Sequence, residues 1–364
     1  MNRRHWLLQS GRYAAIAIAS QSFGFNSFAE EPKRAIDAPF FRTRGVVLLP
    51  EDLEGVDWPR IASNAGLTTI GVHGSPSSVS QFIESEKGHR FLAECRQFEL
   101  DVEYELHAMK DLLPRTLFET HPQMFRMNEK GERVSDANCC PASREGLEVI
   151  CENAVKFAKL LHPTTRRYFY WLDDVAPTCR CPQCRGYSDS EQAVIVENAI
   201  LQSLRKEDAR ASLSHLAYVG TLPPPKKVAP LPGLFLEFAP IERSWAHPLS
   251  ETSVIGRTGA GREKLSHGQT LELLDANLEV FPKESAQVLE YWLDASLHSQ
   301  WTRPAKAVPW NPDVLQSDLA TYARRGIRNI TTFAAWIDQA YVEKFGPPKF
   351  VSEYGTAFAK TRLP

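Results

Sequence analysis

The chain reads as a single (β/α)8 barrel of the α/β class. Eight apolar runs rich in β-branched residues recur at intervals of roughly thirty to forty residues. Each is followed by a helical pattern, and several runs are apolar throughout rather than alternating, as buried parallel strands are. Eight such units over about 300 residues fit a closed barrel. An open doubly wound sheet is the competing arrangement, but no glycine-rich phosphate loop follows the first run.

In order, the runs predict strands at Arg44–Leu49, Leu67–His73, Leu100–Ala108, Arg167–Asp173, Ser212–Val219, Gly233–Phe238, Ala286–Leu293 and Ile327–Ala334. Helical patterns fall at Trp58–Ala65, Gly88–Phe98, Gly146–Leu161, Ser190–Lys206, Gln269–Val280 and Asn311–Arg325. His73-Gly74-Ser75-Pro76 reads as a turn. The longer connections, Lys110–Arg144, Pro223–Lys227 and Ile241–Ser266, all follow the C-terminal ends of strands, where barrel enzymes build their sites. The barrel is expected to occupy residues 43–364, after a linker at 30–42.

The N-terminus carries a different signal. Arg3-Arg4 precedes Trp6-Leu7-Leu8, a weakly apolar stretch runs from Tyr13 to Ser20, and Ser27-Phe28-Ala29 sets small residues where a signal peptidase reads them. We expect a twin-arginine export signal cleaved after Ala29, hence a periplasmic or extracellular protein. Lys+Arg number 42 against 44 Asp+Glu, a net charge of −2. Cleavage removes Arg3, Arg4 and Arg12, leaving 39 against 44, or −5. Without a basic excess the chain is no general nucleic-acid binder. It holds no run of eighteen apolar residues, so no membrane span is expected in the mature protein. The sequence gives no sign of a protein partner or of an oligomeric state.

Residues at strand C-termini are the first candidates for chemistry. His107 closes the third strand, and Asp173-Asp174 the fourth. Tyr218 stands at the end of the fifth, and Glu237 on the sixth with Arg243 and Trp245 beyond. Glu290, Trp292 and Asp294 follow on the seventh, Trp336 and Asp338 on the eighth. Barrel rims are polar in general, and any single acid there can be a cap or an ion pair. As a group, carboxylates, aromatic faces, a histidine and an arginine on one rim suit glycoside hydrolysis. Two adjacent acids repel, which separates their pKa values and suits an acid beside an ionised partner. Asp174 is the candidate acid/base and Asp173 the group that orients a substrate acetamido. Glu290 is the alternative nucleophile, required if the substrate does not supply its own. His107, Tyr218, Glu237, Arg243, Trp292, Asp294 and Trp336 are candidate substrate-binding residues.

Five residues beyond Asp174 comes Cys179-Arg180-Cys181-Pro182-Gln183-Cys184. Three thiols so close together have metal-ligand spacing, and Cys140 or Cys139 can supply a fourth. A closed structural zinc site bracing the loop is one reading; disulfides, which an oxidising compartment permits, are the other. No organic cofactor is expected. Cys95 and Cys151 fall on apolar helix faces and read as core.

Several segments together resemble domain-of-unknown-function family 4838. They are Trp171-Leu172-Asp173-Asp174 through the cysteine cluster, His215-Leu216-Ala217-Tyr218 with Pro223-Pro224-Pro225, and Glu237 to Arg243. His121-Pro122-Gln123-Met124-Phe125 and Cys140-Pro141 upstream, and Glu290 to Asp294 downstream, belong to the same pattern. The resemblance implies a glycoside-hydrolase-like TIM barrel, related to glycoside hydrolase family 163, whose members are similar to retaining β-N-acetylglucosaminidases. It also implies a glycan substrate and a site around Asp174, Arg243 and the strand-seven acids. The expected activity is therefore retaining cleavage of a β-linked (N-acetyl)hexosamine-containing glycan. A glycan-binding barrel without turnover and a metal-dependent hydrolase using the cysteine cluster are the alternatives.

Overall fold

A computed structural model describes residues 39–257 and 264–361. The expected export signal at 1–29 and all but the end of the linker at 30–42 lie outside the described residues. Eight parallel strands close into a barrel in sequence order. They are β1 (Thr43–Leu48), β2 (Thr69–Gly74), β3 (Asp101–His107), β4 (Arg167–Trp171), β5 (Ser212–Ala217), β6 (Leu234–Phe238), β7 (Gln287–Glu290) and β8 (Asn329–Phe333). β8 returns to pair with β1 in register Thr43↔Asn329 through Val47↔Phe333. The (β/α)8 barrel the sequence predicts is the fold observed. β4 and β7 end two and three residues earlier than their apolar runs suggest.

The outer layer differs from expectation in two ways. Ser75-Pro76 does not turn the chain but starts a helix, Pro76–Glu84, with Ser75 Oγ accepting from Ser78 N (3.2 Å) and proline in the first turn. Conversely, no α-helix joins β5 to β6, only a single 3-10 turn at Val219–Thr221. Leu222 is followed by three prolines, which lack the N–H donors a helix needs. The helix Asp189–Glu207 secures this connection instead. Its Glu191 Oε1 accepts from the backbone N–H groups of Lys226 (3.1 Å) and Lys227 (2.6 Å). Its Asn198 donates to Ala229 O (3.0 Å) and accepts from Leu231 N (2.8 Å). Among the described residues no helix is long and apolar enough to cross a membrane.

Strand side chains alternate between the barrel interior and the helical layer. The interior holds a polar layer: Glu103 and Glu105 from β3, Arg167 from β4, Ser214 from β5, Glu237 from β6, Gln287 from β7 and Thr331 from β8, nearly all fully buried. Gly71 on β2 makes room, since a Cβ there would lie 3.0 Å from Glu105 Oε1. Arg167 Nη1 is 3.6 Å from Glu103 Oε1 and its guanidinium lies over the Phe235 ring at 4.3 Å. Gln287 Nε2 donates to Glu237 Oε1 (3.1 Å) and Thr331 Oγ1 (3.2 Å). Burial raises the carboxyls of Glu103 and Glu105, and pushes Glu237 up to about 8. One guanidinium does not offset the desolvation of three carboxylates, so all three are held above the usual carboxylate range.

The C-terminal helix Phe350–Lys360 packs on Trp58–Asn64 and closes the outer ring, with Gly355 at the contact. A Cβ at Gly355 would stand 1.8 Å from Ala65 O, a backbone atom that cannot rotate away. Gly355→Ala should lower stability by about 1–3 kcal/mol in urea unfolding. An unchanged midpoint would mean that the two helices separate without cost.

Candidate functional site

The C-terminal ends of the strands surround a cavity of about 600 Å3. Its floor consists of the last inward-facing residues of the strands, among them His73, His107, Trp171, Leu216, Leu289 and Phe333. Its walls come from the loops beyond, with Tyr218, Tyr291, Trp301 and Trp336 supplying aromatic faces. Tyr291 stacks on Phe333 at 5.4 Å, and His107 meets Trp171 edge to face at 5.1 Å. Trp301, at 62% exposure, stands at the mouth.

The cavity is lined by carboxylates from three loops: Asp174, Glu242 and Asp294. All three act electrostatically on the Tyr218 hydroxyl, which burial and then the neighbouring Asp174 hold above the usual tyrosine range. Tyr218 and the three acids therefore share one cavity. Asp174 is more than half exposed, and its Oδ1 lies 3.8 Å from His107 Nε2. The His107 ring is fixed because Nδ1 donates to Leu172 O (2.6 Å), which leaves Nε2 facing the acid. Beside it, His73 donates from Nδ1 to Glu105 O (2.8 Å). Burial and the proximity of His107 push His73 down to about 3, so it is neutral. Asp294 caps the short helix Ala295–His298: its Oδ1 accepts from Ser296 Oγ (2.6 Å) and Leu297 N (3.1 Å). Burial raises Asp294 to about 6 against those hydrogen bonds.

Backbone strain concentrates around the same cavity. Val175, Val219, Trp301 and Trp336 line it with φ values of 48°, 47°, 52° and 65°. The left-handed region costs such side chains about 1–3 kcal/mol each, most clearly the β-branched valines. Trp336 is held there by Asp52, which accepts from Trp336 N (3.0 Å) and Leu49 N (2.9 Å). Arg303 covers the Trp336 ring at 4.5 Å.

Of the residues singled out from the sequence, Asp174, His107, Tyr218, Asp294 and Trp336 meet at this cavity. Asp173 does not. Its Oδ2 accepts from Arg115 Nη2 (2.7 Å) and Asn138 N (2.8 Å), and its own N–H donates to Asn138 Oδ1 (2.8 Å). It fastens the long β3–β4 loop and is not free to orient a substrate. Glu237 lies one layer below, accepting from Trp171 Nε1 (2.9 Å). Glu290, Arg243 and Trp292 are outside the barrel. Alternation along β7 turns Gln287 and Leu289 inward, Tyr291 just beyond the strand lines the cavity, and Glu290 faces outward. There Arg243 Nη1 donates to Glu290 Oε1 (2.9 Å) and Asp318 Oδ2 (2.6 Å). Trp245 Nε1 and the Tyr322 hydroxyl also donate to Glu290, and Trp292 Nε1 donates to Asp318 (3.1 Å). Glu290 is fully buried and engaged, which removes it as a nucleophile. The sequence reading missed His73, Tyr291, Glu242, Arg257 and Trp301 as cavity residues. His73 and Tyr291 were accessible by the same strand-end rule, whereas Glu242, Arg257 and Trp301 sit in loops with no distinguishing pattern.

Behind Asp174, the buried thiols of Cys140, Cys179, Cys181 and Cys184 bring their sulfur atoms within 4.8 Å of one another. Cys140 Sγ is 3.7 Å from Cys181 Sγ and 3.8 Å from Cys184 Sγ. Disulfide sulfurs would be about 2.05 Å apart. Four thiolates at a zinc–sulfur distance of about 2.3 Å in a tetrahedron have edges of about 3.8 Å. All seven cysteines are free. Met127 N donates to Cys179 Sγ (3.3 Å), the kind of contact that supports a thiolate.

A family model described as Domain of unknown function (DUF4838) matches residues 78–260. No curated protein matches the chain. Among solved structures, a β-N-acetylhexosaminidase from Bacteroides fragilis NCTC 9343 aligns at TM-score 0.52 and 10% identity, over 87% of this chain and 65% of its own length. A glycoside hydrolase family 20 β-N-acetylglucosaminidase aligns at TM-score 0.47 and 9% identity, over 88% and 70%. A Bacteroides ovatus GH5 xyloglucanase aligns at 0.46 and 13%, over 87% and 74%. The chain thus spans less than two thirds of the first of these proteins, and the likeness is one of fold.

The burial of Arg243 between two acids makes a testable distinction between a substrate ligand and a structural tie. Arg243→Met leaves Glu290 and Asp318 buried without their cation and should cost about 3–5 kcal/mol in denaturant unfolding. A variant of unchanged stability would return Arg243 to the substrate-binding group.

Proposed function

The chain belongs to the DUF4838 family, and from that premise we propose that it is an exported glycoside hydrolase cleaving a β-linked N-acetylhexosamine from a glycan. The observation that carries this reading is that Asp174, Glu242 and Asp294 line one aromatic-walled cavity together with Tyr218. Sugar rings stack on such faces, and glycosidic cleavage needs one group to protonate the leaving oxygen and another to stabilise positive charge at the anomeric carbon. The fold shared with the Bacteroides fragilis hexosaminidase supports the choice of sugar.

Asp174 is the acid/base. It is the carboxylate most open to an incoming glycan, with His107 and Tyr218 beside it. The acetamido-orienting role first read for Asp173 passes to Asp294, which reaches the cavity from β7 and must be ionised to accept from the amide N–H. The substrate's own acetamido oxygen then attacks the anomeric carbon as Asp174 protonates the departing oxygen. Water, activated by Asp174, opens the resulting ring with net retention.

The four clustered thiols are proposed to hold one structural zinc, which would tie the β3–β4 loop to the segment behind Asp174. The four sulfurs would fill a tetrahedral ion's coordination sphere, and none of them lines the cavity, so a hydrolytic role for the cluster is disfavoured. Elemental analysis of the purified protein should give one zinc per chain, and stripping it under mild denaturation should lower the melting temperature. Thiols resistant to alkylation until reduced, in protein free of zinc, would replace the metal with disulfides.

Activity is tested with an aryl β-N-acetylglucosaminide and an aryl β-glucoside. Selective cleavage of the acetamido sugar is expected, with Asp174→Asn lowering kcat/KM about 10²-fold or more. Because Asp294 must lose its proton to act, kcat/KM should rise with pH through about 6, and Asp294→Asn should abolish that limb. Equal cleavage of both glycosides would exclude substrate assistance. Glycan binding by the parent with no turnover of any substrate would make the barrel a binding module.

A further inference from the structure

The site does not stop at Arg257. Beyond it lies a second cavity of about 540 Å3, lined by Trp245, His298, Gln300, Trp310 and Asn311 as well as Arg257 itself. Both cavities fall in the range of about 300–1,000 Å3 typical of ligand sites. The segment after Asp294 runs between them: Ser296, Leu297 and Trp301 face the first, His298 and Gln300 the second. Gln300 and Trp301 both hold left-handed backbone, with φ of 55° and 52°. The exposed Trp301 indole therefore stands at the junction.

Two features of the second cavity bear on its ligand. The His298 Nε2 atom is buried and has no hydrogen-bond partner among the described residues. Burial pushes the imidazole down to about 4, against the raising effect of the Trp292 and Tyr291 backbone, and so keeps it neutral. Nε2 itself is closed to solvent, so the ring serves the cavity as a neutral wall. Arg257 is the only Lys or Arg lining either cavity among the described residues. Its guanidinium lies over the Trp245 ring at 5.7 Å and has no carboxylate at ion-pair distance among them, Asp294 acting on it only from further away. A half-buried guanidinium stacked on an indole is poised for a planar anion.

We propose that the second cavity is a subsite for a carboxylate-bearing sugar, joined to the amino sugar in the first cavity, with Arg257 reading the carboxylate and Trp310 giving a stacking face. This rests on the reading of the first cavity as a glycan site, and it deepens that reading. The substrate becomes an oligosaccharide in which an N-acetylhexosamine adjoins an acidic sugar, rather than a neutral amino-sugar chain.

The test is calorimetric binding to the full protein carrying Asp174→Asn, so that bound sugar is not turned over. The probes are a hyaluronan tetrasaccharide, which alternates glucuronate with N-acetylglucosamine, and neutral chitotetraose. Tighter binding of the acidic probe by about tenfold or more is expected, with the preference lost in Arg257→Met and affinity for the acidic probe reduced in Trp310→Ala. Melting curves of each variant identify any that fail to fold, and Arg257→Lys, which keeps the charge but not the fork, should retain part of the preference. Equal affinities, or a preference that survives Arg257→Met, would overturn the subsite. Those results alongside Asp174-dependent cleavage of the aryl N-acetylglucosaminide would overturn the subsite alone. Absence of both binding and cleavage would overturn the glycosidase reading with it.

Discussion

The hydrogen bonds around the Asp173 carboxylate are the constraint on which the site depends. A residue at the end of a barrel strand has a free choice of direction once the ladder stops, and nothing in β4 itself aims Asp174. Asp173 removes that freedom. Its carboxylate is taken by Arg115 and Asn138, its N–H by the Asn138 side chain, and Arg115 returns a bond to Asn138 O (2.7 Å). Two residues on, Cys140 enters the thiol cluster. The long β3–β4 loop is thus fastened to the segment carrying Asp174 at adjacent points. The two neighbouring acids divide the work, one buried in a lattice of donors and the other left open to ligand.

Much of the fold was legible because a parallel barrel writes itself as repeated buried strands. All eight were located, since Val46, Ile70, Val102, Leu213 and Leu236 sit in runs that only a two-sided burial explains. Strand ends were less legible, and the error propagated. Reading β7 through Leu293 kept Glu290 and Trp292 at the rim, whereas the strand stops at Glu290 and the next residues turn. Alternation puts Glu290 on the outer face, opposite to Leu289, wherever the strand is taken to end. Glu290 therefore became a structural acid between Arg243 and Tyr322, a role no local pattern in its pentapeptide distinguishes from catalysis.

The cavity shows the same limit from the other side. His107, Tyr218 and Trp336 were found because position at a strand end is a sequence property. Glu242, Arg257 and Trp301 enter from long loops whose paths depend on contacts distant in sequence, such as the Asp52 carboxylate that holds Trp336 N. The cysteines are the opposite case. Their spacing named four residues, and the coordinates bring those four sulfurs within 4.8 Å of one another.

The polar interior has a consequence for how the chain exchanges protons with its surroundings. In the unfolded chain Glu103, Glu105 and Glu237 ionise as ordinary glutamates; in the barrel burial holds all three upward, Glu237 to about 8. Folding at neutral pH is then a proton-consuming reaction. The native state binds more protons than the unfolded one between the two pKa values, so stability declines as pH rises through that interval. What these residues contribute is complete in acid, below the unfolded value, and is lost on passing the folded one. These three carboxyls therefore favour the folded barrel in acid and favour it less as pH rises past their folded values.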